Sequence, residues 1–484
     1  MSAESLFPST PAHWRVTTLG ELAESSGGGI QTGPFGSQLH AKDYVDDGIP
    51  SIMPKNISID SVLTDDIARV SPTDIERLAK YKVQTGDIIY SRRGDVEKCA
   101  RITPREDGWL CGTGCLRVRV LPVDVSPEYL HAYLCHPQVR EWIVRHAVGA
   151  TMPNLNTSIL SALPVVVPNR PEMEAISSLW LTISEKLQLN HQINLTLEQM
   201  AQAIFKSWFL DFDPVRAKIA VLEAGGSEQD VLLAAMQAIS GKSKAALTRF
   251  EAEKPEQYAE LQATAELFPS AMQDSELGEI PEGWEAGTLN DVAYLNKSSW
   301  SKKTLPEELL YVDLSNTKQG VIEVATPYAS SEAPSRARRR LSDGDTIIGT
   351  VRPGNKSYAF IKDPESHLTG STGFAVLSPK KSEFAEFVYL AATSEESISH
   401  LAHLADGGAY PAVRPDVVSG LSCVIPDQSV LVTYHRLITA NFSLRHELMK
   451  ENSRLAQLRD TLLPKLLSGE LNLTEIENAE VTTA

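Results

Sequence analysis

The sequence is poor in cysteine and contains no long apolar run. Only five cysteines occur in 484 residues, and such a sparse, odd set is typical of reduced cytoplasmic thiols rather than of a disulfide framework. No stretch of about 18 consecutive apolar residues is present, and no basic segment followed by an apolar one opens the chain. These absences argue against a disulfide-rich secreted class and predict a cytoplasmic protein with neither a membrane span nor a signal peptide.

Soft metal ligands are equally scarce. Cys111 and Cys115 form the closest pair of cysteines, with His131, Cys135 and His136 following them. Their spacing matches no standard zinc template, which favours buried or idle thiols. We therefore expect no metal site.

The motifs of common enzyme classes are missing. The chain has neither the Gly-rich cofactor loop nor the Asn-Pro-Pro-Tyr or Pro-Cys motif that a DNA methyltransferase needs. The segment "ISGKSK" at 239–244 lacks the glycine that a phosphate loop requires five residues before Gly241. No lysine has an acidic residue two positions before it, and neither Gly-x-Ser-x-Gly nor His-Glu-x-x-His occurs. We expect a chain that is not an enzyme.

The net charge is −17, which taken alone argues against nucleic-acid binding. The charge is uneven, however: residues 1–168 carry −3, residues 169–280 carry −8 and residues 281–484 carry −6. Local basic clusters occur in the outer parts, namely Arg92-Arg93, Arg117 with Arg119, and Arg336 with Arg338-Arg339-Arg340. Such clusters are either solvated faces or patches that contact nucleic acid.

The chain also repeats itself. Four pairs of segments match in the same order: residues 11–23 with 281–293, 85–94 with 343–354, 112–118 with 371–377, and 150–168 with 408–426. The shift is 270 at Trp14 and stays at 258 or 259 from Gly86 onward. A constant shift over more than a hundred residues predicts a duplicated unit, which ends in a buried strand closed by proline.

A long helical pattern follows each repeat, with steps of three and four between seam residues. The first seam consists of Met173, Ile176, Trp180, Ile183, Leu187, Asn190, Asn194, Leu197, Ala201, Ile204 and Trp208. The second consists of Val430, Tyr434, Leu437, Asn441, Leu444, Leu448, Glu451, Leu455, Leu458 and Leu462. Stripes of this length predict two long helices that pair as a coiled coil, with Asn190, Asn194 and Asn441 fixing its register. Ordinary amphipathic helices on a domain surface are the alternative.

Together these patterns predict an α+β protein. Two mixed α/β domains in pseudo-repeat are separated by two long antiparallel helices that form a coiled coil. The predicted parts are residues 1–168 (first domain), 169–213 (first long helix), 214–280 (acidic helical connector), 281–426 (second domain), 427–470 (second long helix) and 471–484 (disordered tail).

Five segments together resemble one known family. They are the "QTGPFGS" run with "GIPSIMPKNI", the "GDIIYSRRG" turn, the "ATMPNLN" loop, "FKSWFLDFDPVRAK" and the terminal "LRDTLLPKLLSGEL". In this order, and over nearly the whole chain, they look like the specificity subunit of type I restriction–modification enzymes. The second domain departs from the pattern, since "LNKSSWSKK" at 295–303 stands where the first has "QTGPFGSQ".

The resemblance implies two target-recognition domains, each reading one half of a split sequence in double-stranded DNA. It further implies that two methyltransferase (modification) subunits dock on the long helices and that restriction subunits join them, with no membrane involved. In such a complex S-adenosylmethionine, ATP and Mg²⁺ are used by the partner subunits, and this chain holds no cofactor.

Residues 30–44, "IQTGPFGSQLHAKDY", are the first candidate for a DNA-contacting loop. Glycines allow close approach to phosphate, Gln38 suits an adenine edge, and Lys42 suits phosphate or guanine. A structural turn whose polar residues cap helices is the alternative. The candidate DNA-binding residues are Thr32, Ser37, Gln38, His40, Lys42, Arg92, Arg93, Lys98, Arg352, Lys356 and Arg414.

The segment "FKSWFLDF" places four aromatic side chains close together, more than one coiled-coil seam buries. The candidate partner-binding residues are Phe205, Trp208, Phe209 and Phe212. This hypothesis requires Phe209 to face outward, and simple coil packing is the alternative.

These features predict a DNA sequence-recognition subunit of a type I restriction–modification complex, which directs adenine methylation and DNA cleavage by partner subunits. A duplicated coiled-coil scaffold that never contacts DNA is the main alternative, and an enzyme with an unfamiliar active site is a third. Basic turns and polar loops at matching places in both repeats favour the DNA reader over the scaffold.

Overall fold

Two compact units make up the protein. The computed structural model describes residues 6–7, 10–58, 61–64, 66–149, 153–407 and 411–471. The first unit contains residues 1–190 and 450–484, and the second contains residues 191–449. Most of the predicted disordered tail, residues 472–484, lies outside the described residues. Within the described ranges, none of the helices combines the length and apolarity that a membrane span requires.

The first unit is a mixture of small sheets and short helices. Its strands are β1 (Arg15–Thr18), β2 (Gly29–Thr32), β3 (Tyr44–Val45), β4 (Ile49–Ile52), β5 (Ala68–Val70), β6 (Ile88–Ser91), β7 (Cys99–Arg101), β8 (Leu110–Cys111), β9 (Cys115–Arg119) and β10 (Pro164–Val167). Its helices are α1 (Leu19–Ser25), α2 (Pro72–Arg77), α3 (Pro127–Leu134), α4 (Pro137–His146) and α5 (Thr157–Ser161), followed by the long α6 (Arg170–Phe209). One sheet has the order β2-β9-β6-β7 and a second has β3-β5-β4-β8, while β1 pairs with β10.

The second unit begins with a helical segment. Its helices are α7 (Asp213–Glu223), α8 (Glu228–Ser240), α9 (Lys244–Glu253), α10 (Pro255–Glu266), α11 (Leu289–Val292), α12 (Ala385–Thr393), α13 (Glu395–Leu404), α14 (Pro415–Ser419) and the long α15 (Gln428–Leu467). Helices α7 to α10 fall in the segment expected to be an acidic helical connector, where α8, α9 and α10 bury a small apolar cluster of their own around Met236 and Leu247.

The strands of the second unit follow that helical segment. They are β11 (Met272–Ser275), β12 (Gly278–Pro281), β13 (Glu285–Thr288), β14 (Ala293–Leu295), β15 (Glu308–Val312), β16 (Thr317–Lys318), β17 (Val321–Ile322), β18 (Thr326–Ala329), β19 (Ala337–Arg340), β20 (Thr346–Gly349), β21 (Tyr358–Phe360), β22 (Leu368–Ser371), β23 (Phe374–Pro379) and β24 (Ser422–Ile425). One sheet has the order β14-β23-β20-β21 and another has β18-β15-β22-β19, while β13 pairs with β24.

The predicted duplication is confirmed by these topologies. The order β2-β9-β6-β7 corresponds strand for strand to β14-β23-β20-β21. The apolar runs "IIYS" of β6 and "TIIG" of β20 are buried at every position, because each is a central strand covered on both faces. Both repeats also carry a capping box near their start, in which Thr18 pairs with Glu21 and Thr288 with Asp291 before a short helix.

The two long helices run antiparallel, as predicted. In the first unit the Asn190 amide donates to Glu451 at 2.7 Å and to Asn452 at 2.9 Å. In the second unit Glu198 contacts Arg445, nearer the start of α15. A residue further along α6 therefore contacts a residue earlier in α15, as in an antiparallel pair. The buried Asn190 pairs only in this register, which supports its predicted role in fixing it.

The predicted seam is right for α6 and partly wrong for α15. Every predicted seam residue of α6 is buried or half-buried. On α15, however, Leu437, Leu444 and Leu458 are 48%, 48% and 46% exposed, whereas Ile438 and Phe442 are buried. The α15 sequence carries two apolar stripes side by side, and heptad spacing alone does not decide which one faces the partner helix.

The aromatic segment at the end of α6 belongs to the core of the second unit. Phe205, Trp208, Phe209 and Phe212 are only 4%, 1%, 2% and 6% exposed. Phe209 packs edge-on against Tyr434 at 4.9 Å between ring centroids and against Phe387 at 5.2 Å. The expectation that Phe209 faces outward is therefore wrong, because the neighbouring helices α12 and α15 cover its ring.

A buried ion pair joins α6 to α15 inside the second unit. Arg445 Nη1 lies 2.8 Å from Glu198 Oε2, and the two side chains are 8% and 11% exposed. Tyr389 donates to the other Glu198 oxygen at 3.0 Å, and Arg445 also donates to the carbonyl of Gly320 at 3.0 Å. The pair thus connects both long helices with helix α12 and the β16–β17 turn.

Removing one partner of this pair should destabilise the second unit strongly. Arg445→Met leaves the Glu198 carboxylate buried without a counter-charge, and we expect a loss of about 3–5 kcal/mol in the free energy of unfolding. Urea unfolding of the full chain measures it. Arg170→Ala, which breaks an exposed pair with Glu174, is the matched control and should change stability by less than about 0.5 kcal/mol. Equal effects of the two substitutions would contradict this account.

Candidate nucleic-acid interface

An arginine-bearing turn occupies the same place in both units. After β6, the Arg92 N–H donates to the Gly114 carbonyl at 2.8 Å, and Leu155 N–H donates to the Arg92 carbonyl at 2.8 Å. After β20, Thr350 makes the corresponding bonds, to Gly373 and from Val413, both at 2.9 Å. The repeat therefore extends to individual hydrogen bonds, and each turn is held between two neighbouring loops.

The closing loop of each repeat also pairs with the next residue of the turn. Arg93 forms an isolated antiparallel bridge with Asn154, and Val351 forms one with Ala412. The Arg352 N–H donates to the Pro411 carbonyl at 2.7 Å. These contacts fix the backbone of the turn, so that Arg93 and Arg352 project from a rigid base, and both side chains are exposed.

The loop 30–44 joins this arrangement in the first unit. Gly33 donates its N–H to Cys115 at 2.9 Å, and a Cβ at Gly33 would lie 2.1 Å from the Gly112 carbonyl, so that only glycine fits. The Arg92 guanidinium lies over the Phe35 ring at 6.0 Å, and Phe35 is 54% exposed. These contacts place the loop beside the basic turn, and its contact with DNA stays a prediction.

Gln38 is less suited to base contact than its sequence suggests. Its Oε1 accepts hydrogen bonds from the Phe35 N–H at 3.2 Å and from the Tyr81 hydroxyl at 2.8 Å. Bidentate pairing with adenine needs that same oxygen, so the observed geometry gives Gln38 a structural role in the loop. Sequence spacing does not reveal this because Tyr81 comes from a distant segment.

The other predicted residues of the loop differ in exposure. Ser37, His40 and Lys42 are exposed, whereas Thr32 is half-buried at the end of β2. An exposed lysine next to a Gly-rich turn is suited to a phosphate contact. Lys42 therefore remains the strongest candidate among them.

Three of the predicted cations are already paired with carboxylates. Lys98 lies 2.5 Å from Asp95, Lys356 lies 2.8 Å from Glu395, and Arg414 lies 3.0 Å from Asp416. Exposed pairs contribute little stability, but each of these cations has to leave its carboxylate to reach a phosphate. Arg93 and Arg352 are better placed to contact DNA. No ion pair between Arg93 and a carboxylate is found among the described residues, and Arg352 stands at an exposed tip.

A second basic surface lies next to the arginine-bearing turn of the second unit. The carbonyl of Arg336 accepts from Thr372 N–H at 2.8 Å, next to Gly373. Arg340 lies over the Trp300 ring at 5.1 Å, and Arg336 and Arg340 are exposed. Burial lowers the pKa of the neighbouring Arg339. Phe35 and Trp300 were not predicted as site residues, because the arginines that lie over their rings, Arg92 and Arg340, are distant in the sequence.

Comparisons with known proteins point to one kind of protein. Residues 11–199 match the type I restriction modification DNA specificity domain. The chain is 29% identical to the type I restriction enzyme HindI specificity subunit of Haemophilus influenzae over 416 residues, which cover 82% of this chain and 89% of that protein. These matches make the chain similar to type I restriction–modification specificity subunits over most of its length.

More distant relatives cover the chain more completely. The type I restriction enzyme MjaIX specificity subunit of Methanocaldococcus jannaschii is 21% identical over 480 residues, or 96% of this chain and 95% of that protein. A crystal structure of a type I restriction–modification S subunit from M. genitalium covers 94% of this chain and 96% of its own, at 14% identity and a TM-score of 0.48. Relationships this distant do not identify individual contact residues.

Arg93 and Lys98 provide a matched test of the interface. Arg93→Ala should weaken DNA binding by the assembled complex and reduce the slope of log affinity against log salt by about one if Arg93 contacts a phosphate. If Arg93 contacts a base edge, the substitution should instead reduce the discrimination between bases at one position of the target by about 1–3 kcal/mol. Lys98→Ala should have little effect, because Asp95 holds that side chain. Unchanged binding by the Arg93 variant would remove Arg93 from the interface.

Proposed function

We propose that this chain is the DNA sequence-recognition subunit of a type I restriction–modification complex, which reads a bipartite target. The observation that carries the proposal is the arginine-bearing turn, built twice with the same hydrogen bonds on sheets of the same topology. A duplicated site in a chain similar to these specificity subunits is suited to reading two half-sites. Neither a scaffold nor an enzyme needs two such turns.

The two units should read different bases. Backbone contacts to phosphate fix the position of the protein, and side chains at the base edges specify sequence. The first unit offers Phe35, Arg92 and Arg93 at its turn, whereas the second offers Trp300 and Arg352. Different side chains on the same framework select different half-sites without any change in the fold.

The chemistry belongs to the partner subunits. As a specificity subunit this chain is the non-catalytic component, and DNA and the other subunits of the complex are its partners. In this proposal two methyltransferase subunits methylate adenine with S-adenosylmethionine, and restriction subunits cleave DNA with ATP and Mg²⁺. The acidic total of −17 is compatible with DNA binding because those subunits supply much of the positive surface along the phosphates.

Methyl transfer with and without the partner tests this function. The purified chain mixed with DNA and labelled S-adenosylmethionine should transfer no methyl group. After addition of its methyltransferase subunit, label should enter adenine at one bipartite motif. Transfer by the lone chain, once contaminating methyltransferase is excluded by mass spectrometry, would contradict the proposal.

We further infer that the methyltransferase docks on the exposed stripe of α15 rather than on the buried aromatic rings. Leu437 and Leu444 lie one heptad apart, and each is 48% exposed. Helices in partner proteins commonly pack on such apolar stripes. The continuity of this stripe with the coiled coil suits a partner that extends it into a larger bundle.

A double substitution separates docking from folding. Leu437→Glu with Leu444→Glu should abolish co-purification with the methyltransferase while the chain keeps its unfolding midpoint, because neither side chain is in the core. Val324→Glu, at an equally exposed apolar site in the same unit, should leave co-purification intact. Retention of the partner by the double variant would place the docking surface elsewhere. Phe209→Asp is unsuitable, since it should unfold the second unit.

A further inference from the structure

A cluster of cysteine and histidine side chains lies in the core of the first unit and has no part in the DNA contacts described above. Cys99 Sγ is 3.9 Å from Cys135 Sγ, which is 3.6 Å from Nε2 of His131. The three ligand atoms all lie within 4.8 Å of one another. Cys99, His131 and Cys135 are 1%, 2% and 7% exposed.

Two elements bring these groups together. Tyr90 and Cys99 are directly paired across β6 and β7, so their side chains share one face of the sheet. His131 and Cys135 are four residues apart at the end of α3, and therefore lie on one face of that helix. Strand β7 is at the edge of its sheet, where α3 packs against it.

Tyr90 adds a fourth polar group. Its hydroxyl is fully buried, and the thiols of Cys99 and Cys135 are its polar neighbours. The hydroxyl is therefore a candidate to complete a set of four ligands with the two cysteines and His131.

The distances suit a tetrahedral thiophilic ion. With zinc–sulfur bonds of about 2.3 Å and zinc–nitrogen bonds of about 2.0–2.1 Å, two sulfurs lie about 3.8 Å apart and sulfur and nitrogen about 3.6 Å apart. The observed separations are 3.9 Å and 3.6 Å. Two thiolates and a neutral imidazole also cancel the charge of a divalent cation, which a buried site requires.

We propose that Cys99, Cys135 and His131 bind one zinc ion, with the Tyr90 hydroxyl as the fourth ligand. The ion would join the edge strand β7 to α3 and so stabilise the framework on which the first arginine-bearing turn is built. Sequence spacing led to the opposite expectation, because 31 residues separate Cys99 from His131 in the chain. Cys111 and Cys115, which drew attention in the sequence, lie elsewhere, and Cys115 donates to the Ile52 carbonyl at 3.2 Å.

Trp180 forms a hydrogen bond to His131 that competes with zinc binding. Its indole N–H donates to Nδ1 of His131 at 3.3 Å, which favours the tautomer with the proton on Nε2. Zinc on Nε2 requires that proton on Nδ1, so binding has to open the Trp180 contact. Trp180→Phe removes the opposing donor and should bind zinc at least as tightly as the wild-type chain.

Metal content of the full-length chain tests the proposal. Protein produced in zinc-supplemented medium should retain about one equivalent of zinc by mass spectrometry, and cobalt in its place should give a sulfur-to-metal charge-transfer band. Cys99→Ser and Cys135→Ser should lose both signals. Cys111→Ser is the matched control, a buried cysteine in the same unit, and should keep them.

Several results would overturn it. They are a wild-type chain with neither zinc nor the cobalt band, and a Cys111→Ser variant that loses the metal to the same extent as Cys99→Ser. The wild-type cobalt titration requires no substitution, so a variant that fails to fold does not leave the question open. None of these readouts depends on DNA or on partner subunits. A negative result would therefore reject the zinc site and leave the proposed function unaffected.

Discussion

Backbone hydrogen bonds hold the turn after β6 between two neighbouring loops, and corresponding bonds hold its counterpart after β20. The positions of Arg92, Arg93 and Arg352 depend on that restraint. Arg92 N–H binds Gly114, and the Arg92 carbonyl accepts from Leu155. Because main-chain atoms make these bonds, the restraint survives any change of side chain. An exposed arginine on a fixed backbone loses less freedom on binding than one on a mobile loop.

The same framework then carries different surfaces. In the first unit a Gly-rich loop reaches the turn because Gly33 has no Cβ to collide with Gly112. In the second unit the segment around Trp300 follows the corresponding strand β14, and Arg340 lies over the Trp300 ring. The sheets form the shared framework, and the loops carry the side chains that differ between the two units. In the proposed function, this division lets a duplicated chain read two unlike half-sites.

Much of the architecture could be predicted from the sequence. The constant shift between repeats indicated equal topology, and the α6 seam was right because its apolar residues form a single stripe. The α15 seam was not, because Leu437 and Ile438 are adjacent and equally apolar, and only packing distinguishes them. The burial of Phe209 and the hydrogen bonds of Gln38 could not be predicted for a related reason: the groups that contact them, Tyr434 and Tyr81, are remote in sequence. Long-range contacts decide burial, and periodicity reports only local spacing.

The most direct test of the account exchanges one reader. Residues 1–168 are replaced by the equivalent unit of a relative with a known target, and methylated adenines are mapped in DNA from cells that also express the partner subunits. We expect one half of the bipartite motif to change to that of the relative and the other half to remain. A change in both halves together, or a motif unaffected by the exchange, would contradict a chain with two independent readers.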